Sequence, residues 1–350
     1  MTRTAALRSP AGPGPVPSPP HPSVSRPRRI LRAVAIASCL PYLALKAAWV
    51  AGSRIGIPDG SELLEHRVPM AVANGVTILM DSAVVLLALL LTRPWGRAVP
   101  AWRLAVPVWT ATGLLAPIMA GFPAFVVADL LGGSGSGEAA GDEPFLDGWV
   151  FSVVYTGFIV QGVALGALFV LYARDRWGRL WRGPVGDPPG RRAGTAQRPA
   201  AVVAALLALL PLTVRLLWAG GGTAGLPVGR ITGRGSDFHV LEVLAVLFLA
   251  GAVTGALLLA FRRPPTLPAA VPLALVWAGS ATLVCWTGWT WLTPLVGSGD
   301  MAERPSPLMH LTYGGQVTTG LLAAAVCVGF LRERSGQGER SAERGREHTG

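Results

Sequence analysis

A chain of 350 residues with 51% hydrophobic and only 14% charged residues has too little charge to cover the surface of a water-soluble domain. Its mean hydropathy is +0.48, and its apolar residues fall in blocks of about 20 or more, the length that carries a helix across a hydrocarbon layer about 30 Å thick. The formal net charge of +11 would suit nucleic acid if the arginines gathered on one folded face. They are divided among the ends of the apolar blocks instead, which argues against a nucleic-acid partner and makes the lipid bilayer the surrounding medium.

In chain order, residues 1–29 come first. Pro10, Pro13, Pro15, Pro17, Pro19, Pro20, Pro22 and Pro27 crowd this segment, which ends in Arg-Pro-Arg-Arg. Such a composition predicts a disordered or polyproline-like tail. It has no short apolar core followed by a small-residue cleavage site, so no processing is expected. Eight apolar runs follow, at about 31–51, 68–92, 104–128, 149–172, 200–220, 238–261, 271–295 and 309–331, and each predicts one transmembrane helix. Pro41, Pro107, Pro117, Pro123, Pro211 and Pro294 lie inside them. Membrane helices tolerate such prolines because neighbouring helices can satisfy the freed carbonyls.

The connecting segments differ in charge. With the N-terminus inside, 23 of the thirty basic residues fall in the two tails and the inner loops and five on the opposite face, while the acidic residues divide six to eleven the other way. This asymmetry predicts a plasma-membrane protein with both termini cytoplasmic. Trp95, Trp102, Trp177 and Trp181 mark the inner interface, and Trp49, Trp149 and Trp218 the outer one.

A motif repeats. Leu40–Gly52, LPYLALKAAWVAG, returns as Leu210–Gly221, LPLTVRLLWAGG, so that Lys46 matches Arg215 and Trp49 matches Trp218 at a spacing of 169 residues. Arg93 matches Arg262 at 169 and Trp109 matches Trp277 at 168. Tyr155 matches Tyr313, and Arg174-Asp175-Arg176 matches Arg332-Glu333-Arg334, at 158. The fold class expected is therefore an all-α, polytopic membrane helix bundle, eight transmembrane helices arranged as two parallel four-helix repeats (4+4). An even number of helices per copy makes the copies enter the membrane in the same direction. The segments expected are a cytoplasmic tail at 1–29, a first repeat at 30–174, a polar cytoplasmic linker at 175–199, a second repeat at 200–332, and a disordered cytoplasmic tail at 333–350.

Four charges lie within the runs: Lys46, Asp81, Arg215 and Glu242. Charge inside a bilayer is expensive unless paired, protonated or hydrated, and marks a site by default. Lys46, the one lysine in the chain, and Arg215 lie near enough to the outer ends to snorkel. Pairing across helices is the competing expectation: Glu242 lies at the depth of Arg215, Asn74 occupies the aligned position opposite Lys46, and Asp81 lies about two turns deeper. Asp81 is too short to snorkel, which leaves an interhelical hydrogen bond, a bridge to Lys46, or an ion-coupling role. On the outer face His66, His239 and His310 each open a helix near carboxylates. They could hold a divalent metal, although their spacings match no zinc pattern.

Gly157, Gly162 and Gly166 in the fourth run and Gly314, Gly315 and Gly320 in the eighth suit close helix contact, and nominate those two helices for the seam between copies. Cys39, Cys285 and Cys327 fall inside apolar runs without a CxxC pair and read as small buried hydrophobes. No nucleotide-binding or nucleophile motif is present, so no cofactor is expected and an enzyme is disfavoured.

The Arg/Ala/Gly/Pro bias, the eight runs and the stretches LPYLALKAAWVAG and LLLTRPWGRAVPAW resemble the multi-pass membrane proteins of high-GC actinobacteria. The resemblance spans most of residues 30–331, implies the eight-helix fold and transfers no functional residue. Two functions fit the sequence. The first is a carrier or binding protein for a small molecule or ion, with its site at the repeat interface. The alternative is a non-transporting scaffold or partner subunit whose buried charges are structural, with no protein partner identified by the sequence.

Overall fold

The computed structural model describes residues 25–58, 67–132, 146–186, 196–232, 234–296 and 305–347. Most of the proline-rich tail, His66, most of the acidic loop after the third run, and the middle of the linker lie outside the described residues.

The described chain is helical, with one isolated bridge between Pro184 and Pro268. Its long helices are α1 (Arg26–Val50), α2 (Arg67–Thr92), α3 (Ala101–Leu130), α4 (Gly148–Trp181), α5 (Gln197–Ala219), α6 (Ser236–Phe261), α7 and α8 (Pro307–Glu347). Helix α7 is built of three continuous pieces: Ala270–Ala281, a π-helical turn Thr282–Trp286, and Thr287–Val296. Eight helices are long and apolar enough to cross a membrane, and the protein has the architecture of a multi-pass integral membrane protein. Leu79, Leu206 and Leu247 are 60% or more exposed. In water such a surface would be strongly unfavourable, whereas in hydrocarbon it costs nothing.

The spans form two groups. Helices α1, α2 and α4 pack around Ala35, Cys39, Leu87, Ala88, Leu104 and Leu168. Helices α5, α6, α7 and α8 pack around Ala201, Leu249, Ala252, Leu259, Val276 and Phe330. Helix α3 leans on α4, barely touches α2, and packs extensively on α6 and α7. The last four spans keep the corresponding pair, α6 and α7, tightly packed.

Helices α3 and α7 carry the main contact between the first four and the last four spans, rather than the fourth and eighth spans that the glycine pattern nominates. The reason is local. Gly162 faces Met119 of α3, Gly157 faces the Ser38 carbonyl of α1, Gly315 faces Pro211 of α5, and Gly320 faces Leu283 of α7. Each of these glycines admits a neighbour within its own group of four. The close crossing uses Gly113, where an added Cβ would lie 2.2 Å from the Ala281 carbonyl oxygen. Two reciprocal hydrogen bonds flank that crossing: Trp109 Nε1 donates to Ser280 Oγ at 3.1 Å, and Trp277 Nε1 donates to Thr112 Oγ1 at 3.2 Å.

A second tie lies at the arginine-rich end. The Val185 and Gly186 amides donate to the Leu267 and Pro265 carbonyls, and the Ala269 amide donates back to Gly183. Arg334 of α8 caps the same segment by donating to the carbonyls of Leu180, Arg182 and Pro184. In hydrocarbon, a rigid crossing must be close-packed because water cannot drive it. The Gly113→Ala variant should therefore lose about 1–3 kcal/mol of stability, whereas Gly166→Ala, where a Cβ meets nothing within 4 Å, should be neutral; thermal unfolding in detergent measures both.

Candidate functional site: the intramembrane polar groups

Arg215 is held on every side. Its Nη1 donates to both carboxylate oxygens of Glu242 on α6, at 2.8 and 2.9 Å, and its Nη2 donates to Gln316 Oε1 on α8 at 2.9 Å. The guanidinium lies 5.5 Å from the Trp218 ring centroid and 5.0 Å from that of Tyr313. Arg215 is 8% exposed and Glu242 3%. A planar, always-charged fork suits this bidentate burial, which a lysine could not reproduce. The expected Arg215–Glu242 pair is thus present as a closed cluster of ions and rings spanning three helices.

The first four spans answer the same position differently. Lys46 of α1 donates from Nζ to Asn74 Oδ1 of α2 at 2.7 Å and lies over the rings of Tyr42 and Trp49. Asn74 is 4% exposed. Lys46 has a neutral partner where Arg215 has a carboxylate, and it bonds Asn74 rather than Asp81.

Asp81 stands alone by comparison. It is 5% exposed and hydrogen-bonded to Gln161 of α4, which is 1% exposed. Among the described residues, Asp81 Oδ2 and Gln161 Oε1 have no hydrogen-bond partner. Both side chains line a cavity of about 500 Å³. Its other walls are Tyr42 of α1, Thr77 and Val84 of α2, Thr110 and Leu114 of α3, Phe158 of α4, and Trp286 and Trp289 of α7. The cavity exists because α3 leans toward α7 and away from α2. The π-helical turn of α7 contributes Trp286 to it; such turns recur at functional sites because the extra residue re-aims a side chain.

The histidines of the opposite end do not converge. His239 Nδ1 lies 3.0 Å from the Ala219 carbonyl, and His310 Nδ1 accepts from Trp291 Nε1 at 2.9 Å. His66 lies outside the described residues. Among the described residues no three His, Cys, Asp or Glu side chains are grouped to hold a metal ion.

Of the sequence-predicted groups, the fold joins Arg215 to Glu242, Lys46 to Asn74 and Asp81 to a cavity, as three separate places. Sequence reasoning missed Gln161, Gln316 and Tyr313. Gln161 and Gln316 are amides placed inside apolar runs, and weighing amides beside ionisable groups would have found them.

Comparison of the chain with protein-family models, with curated proteins and with solved structures finds no match.

Removing one member of a buried pair leaves an uncompensated charge. Glu242→Ala should therefore lose about 3–5 kcal/mol of stability, while Arg215→Met combined with Glu242→Leu should recover most of it; unfolding midpoints in detergent for the two single variants and the pair read the coupling.

Proposed function

We propose that the protein is a small-molecule carrier or binding protein of the plasma membrane, with both termini cytoplasmic and its site in the cavity at Asp81. The observation that carries this reading is the pair of unpartnered, buried acceptor oxygens on Asp81 and Gln161, which share one cavity in the hydrocarbon layer. Burying a polar group without a partner costs free energy, and a fold that keeps two such groups beside open space is arranged for a ligand that supplies donors.

The reading includes a duplicated architecture, two like-oriented four-helix copies. Four correspondences support it. Trp49 Nε1 donates to the Ile55 carbonyl at 2.7 Å, and Trp218 Nε1, 169 residues on, donates to the Ala224 carbonyl at 2.9 Å. The turns they close have Gly52 and Gly221 at φ 91° and 93°, and Gly56 and Gly225 at φ 74° and 73°, left-handed conformations that favour glycine. Arg28 bonds Asp175, and its counterpart Gln197 bonds Glu333. The Trp109–Ser280 and Trp277–Thr112 bonds exchange partners across α3 and α7, the reciprocity that a two-fold relation produces.

On this reading the copies have diverged. At 168 residues from Asp81 stands Leu249, 1% exposed in the second core. The second copy is packed shut around Arg215–Glu242–Gln316 and serves as the rigid partner. The first copy keeps Asp81, Gln161 and the gap beside α3, with Lys46 and Asn74 holding α1 to α2 on the outer side of the site. The buried cluster at Arg215 also favours the scaffold alternative for that half alone.

Ligand that binds only the folded state stabilises it, by about 2.7 kcal/mol at a hundred times its dissociation constant. A panel of organic amines, carboxylates, alcohols and alkali cations should contain members that raise the unfolding temperature of the wild type and leave Asp81→Asn unmoved; a panel that shifts both proteins equally, or neither, overturns the site. Reporter fusions should place the segment near residue 190 in the cytoplasm and that near residue 140 outside, and the opposite result would overturn the orientation.

A further inference from the structure

Resting on the reading that the Asp81 cavity is a ligand site, we infer that its ligand is a hydrophobic amine: an apolar body of drug-like size carrying one protonated nitrogen. The inference joins the orphaned oxygens of Asp81 and Gln161 to the aromatic walls of the cavity. Gln161 turns its amide nitrogen toward Asp81, which leaves its Oε1 as an acceptor; Asp81 Oδ2 is an acceptor too. Two acceptors call for a group with more than one donor. A primary ammonium has three, whereas a hydroxyl has one and can satisfy only one of the two oxygens.

Charge narrows the class further. The nearest cation, Lys46, is committed to Asn74 and does not line the cavity. A ligand carboxylate would face Asp81 with no donor opposite it. The rings of Tyr42, Phe158, Trp286 and Trp289 line the same space, and aromatic faces attract ammonium groups. A bare metal ion fits poorly, because hard cations require about six or more oxygen ligands and the walls are mainly carbon. The Thr77 hydroxyl is already engaged, donating to the Asn74 carbonyl at 2.9 Å. The volume of about 500 Å³ lies in the range for drug-sized molecules.

The walls also indicate the route. Val106 and Trp289 are 56% and 47% exposed and border the cavity within the spans. The opening between α2 and α3 therefore meets lipid, and a hydrophobic amine partitioned into the bilayer reaches Asp81 sideways.

The test uses the full chain in lipid nanodiscs and equilibrium dialysis, with empty nanodiscs subtracted for lipid partition. The probes are 2-(1-naphthyl)ethylamine, the alcohol 2-(1-naphthyl)ethanol and the acid 3-(1-naphthyl)propanoic acid, alike in apolar body and different in head group. The amine should be retained, with the alcohol and the acid at least about tenfold weaker. Asp81→Asn should weaken the amine at least about tenfold, and Gln161→Leu should weaken it too. Ala83→Trp, which fills the cavity and leaves the carboxylate intact, should abolish retention, and it decides the matter if Asp81→Asn does not run as a single monodisperse species. Retention of the alcohol or the acid as strong as that of the amine, and lost in Ala83→Trp, overturns the amine class while the cavity stands as a site. Retention of the amine that survives both Asp81→Asn and Ala83→Trp, or retention of no probe, overturns the inference; the wider thermal panel then decides whether the cavity is a site at all.

Discussion

Hydrocarbon offers no hydrogen bonds. Every polar group that this chain carries into the membrane must find its partner within the protein or accept a large penalty, and the internal arrangement follows from how each group meets that demand. Backbone groups meet it by forming helices. Thr92, Thr112 and Thr312 meet it by donating to the carbonyls four residues earlier. Indole nitrogens meet it by reaching across helices or into turns, as Trp109, Trp218 and Trp277 do. Arg215 meets it with a carboxylate, an amide and two rings.

Asp81 and Gln161 meet it only in part, and they do so where helix packing is loosest. The gap between α2 and α3 results from α3 being recruited by α7 through the Gly113–Ala281 crossing. The contact that joins the two groups of helices is thus also the contact that opens the cavity. In the proposed duplicated architecture, one constraint has two solutions: leucine and a closed ion cluster in one copy, a carboxylate beside open space in the other. A symmetric bundle would have to hold both cavities or neither, so divergence at a few buried positions is enough to make one half a support and the other a site.

The helices were legible because hydrocarbon thickness imposes a length, and apolar runs record it. Run and helix agree closely at 31–51 against Arg26–Val50 and at 271–295 against Ala270–Val296. They disagree where helices leave the membrane. Helix α4 continues to Trp181 and α8 to Glu347, because a helix in water is sustained by local contacts such as the Arg176–Tyr172 bond one turn apart, which hydropathy does not register. The Arg215–Glu242 pair and the Lys46–Asn74 bond could be anticipated from depth alone. The cavity could not, since it depends on which way α3 leans, and glycine spacing misjudged the seam because small residues admit any close neighbour. The amide Gln161 escaped because it carries no charge, although an unsatisfied amide in hydrocarbon is nearly as informative.

The account stands or falls on the separation of α2 from α3 around a half-satisfied carboxylate. A cryo-electron microscopy map of the protein in lipid nanodiscs tests it most directly. The account predicts α3 seated on α7, a gap beside α2, and Asp81 and Gln161 both facing into it. A map with α3 packed on α2, the gap closed, and Asp81 Oδ2 bonded by a donor from the protein would contradict it.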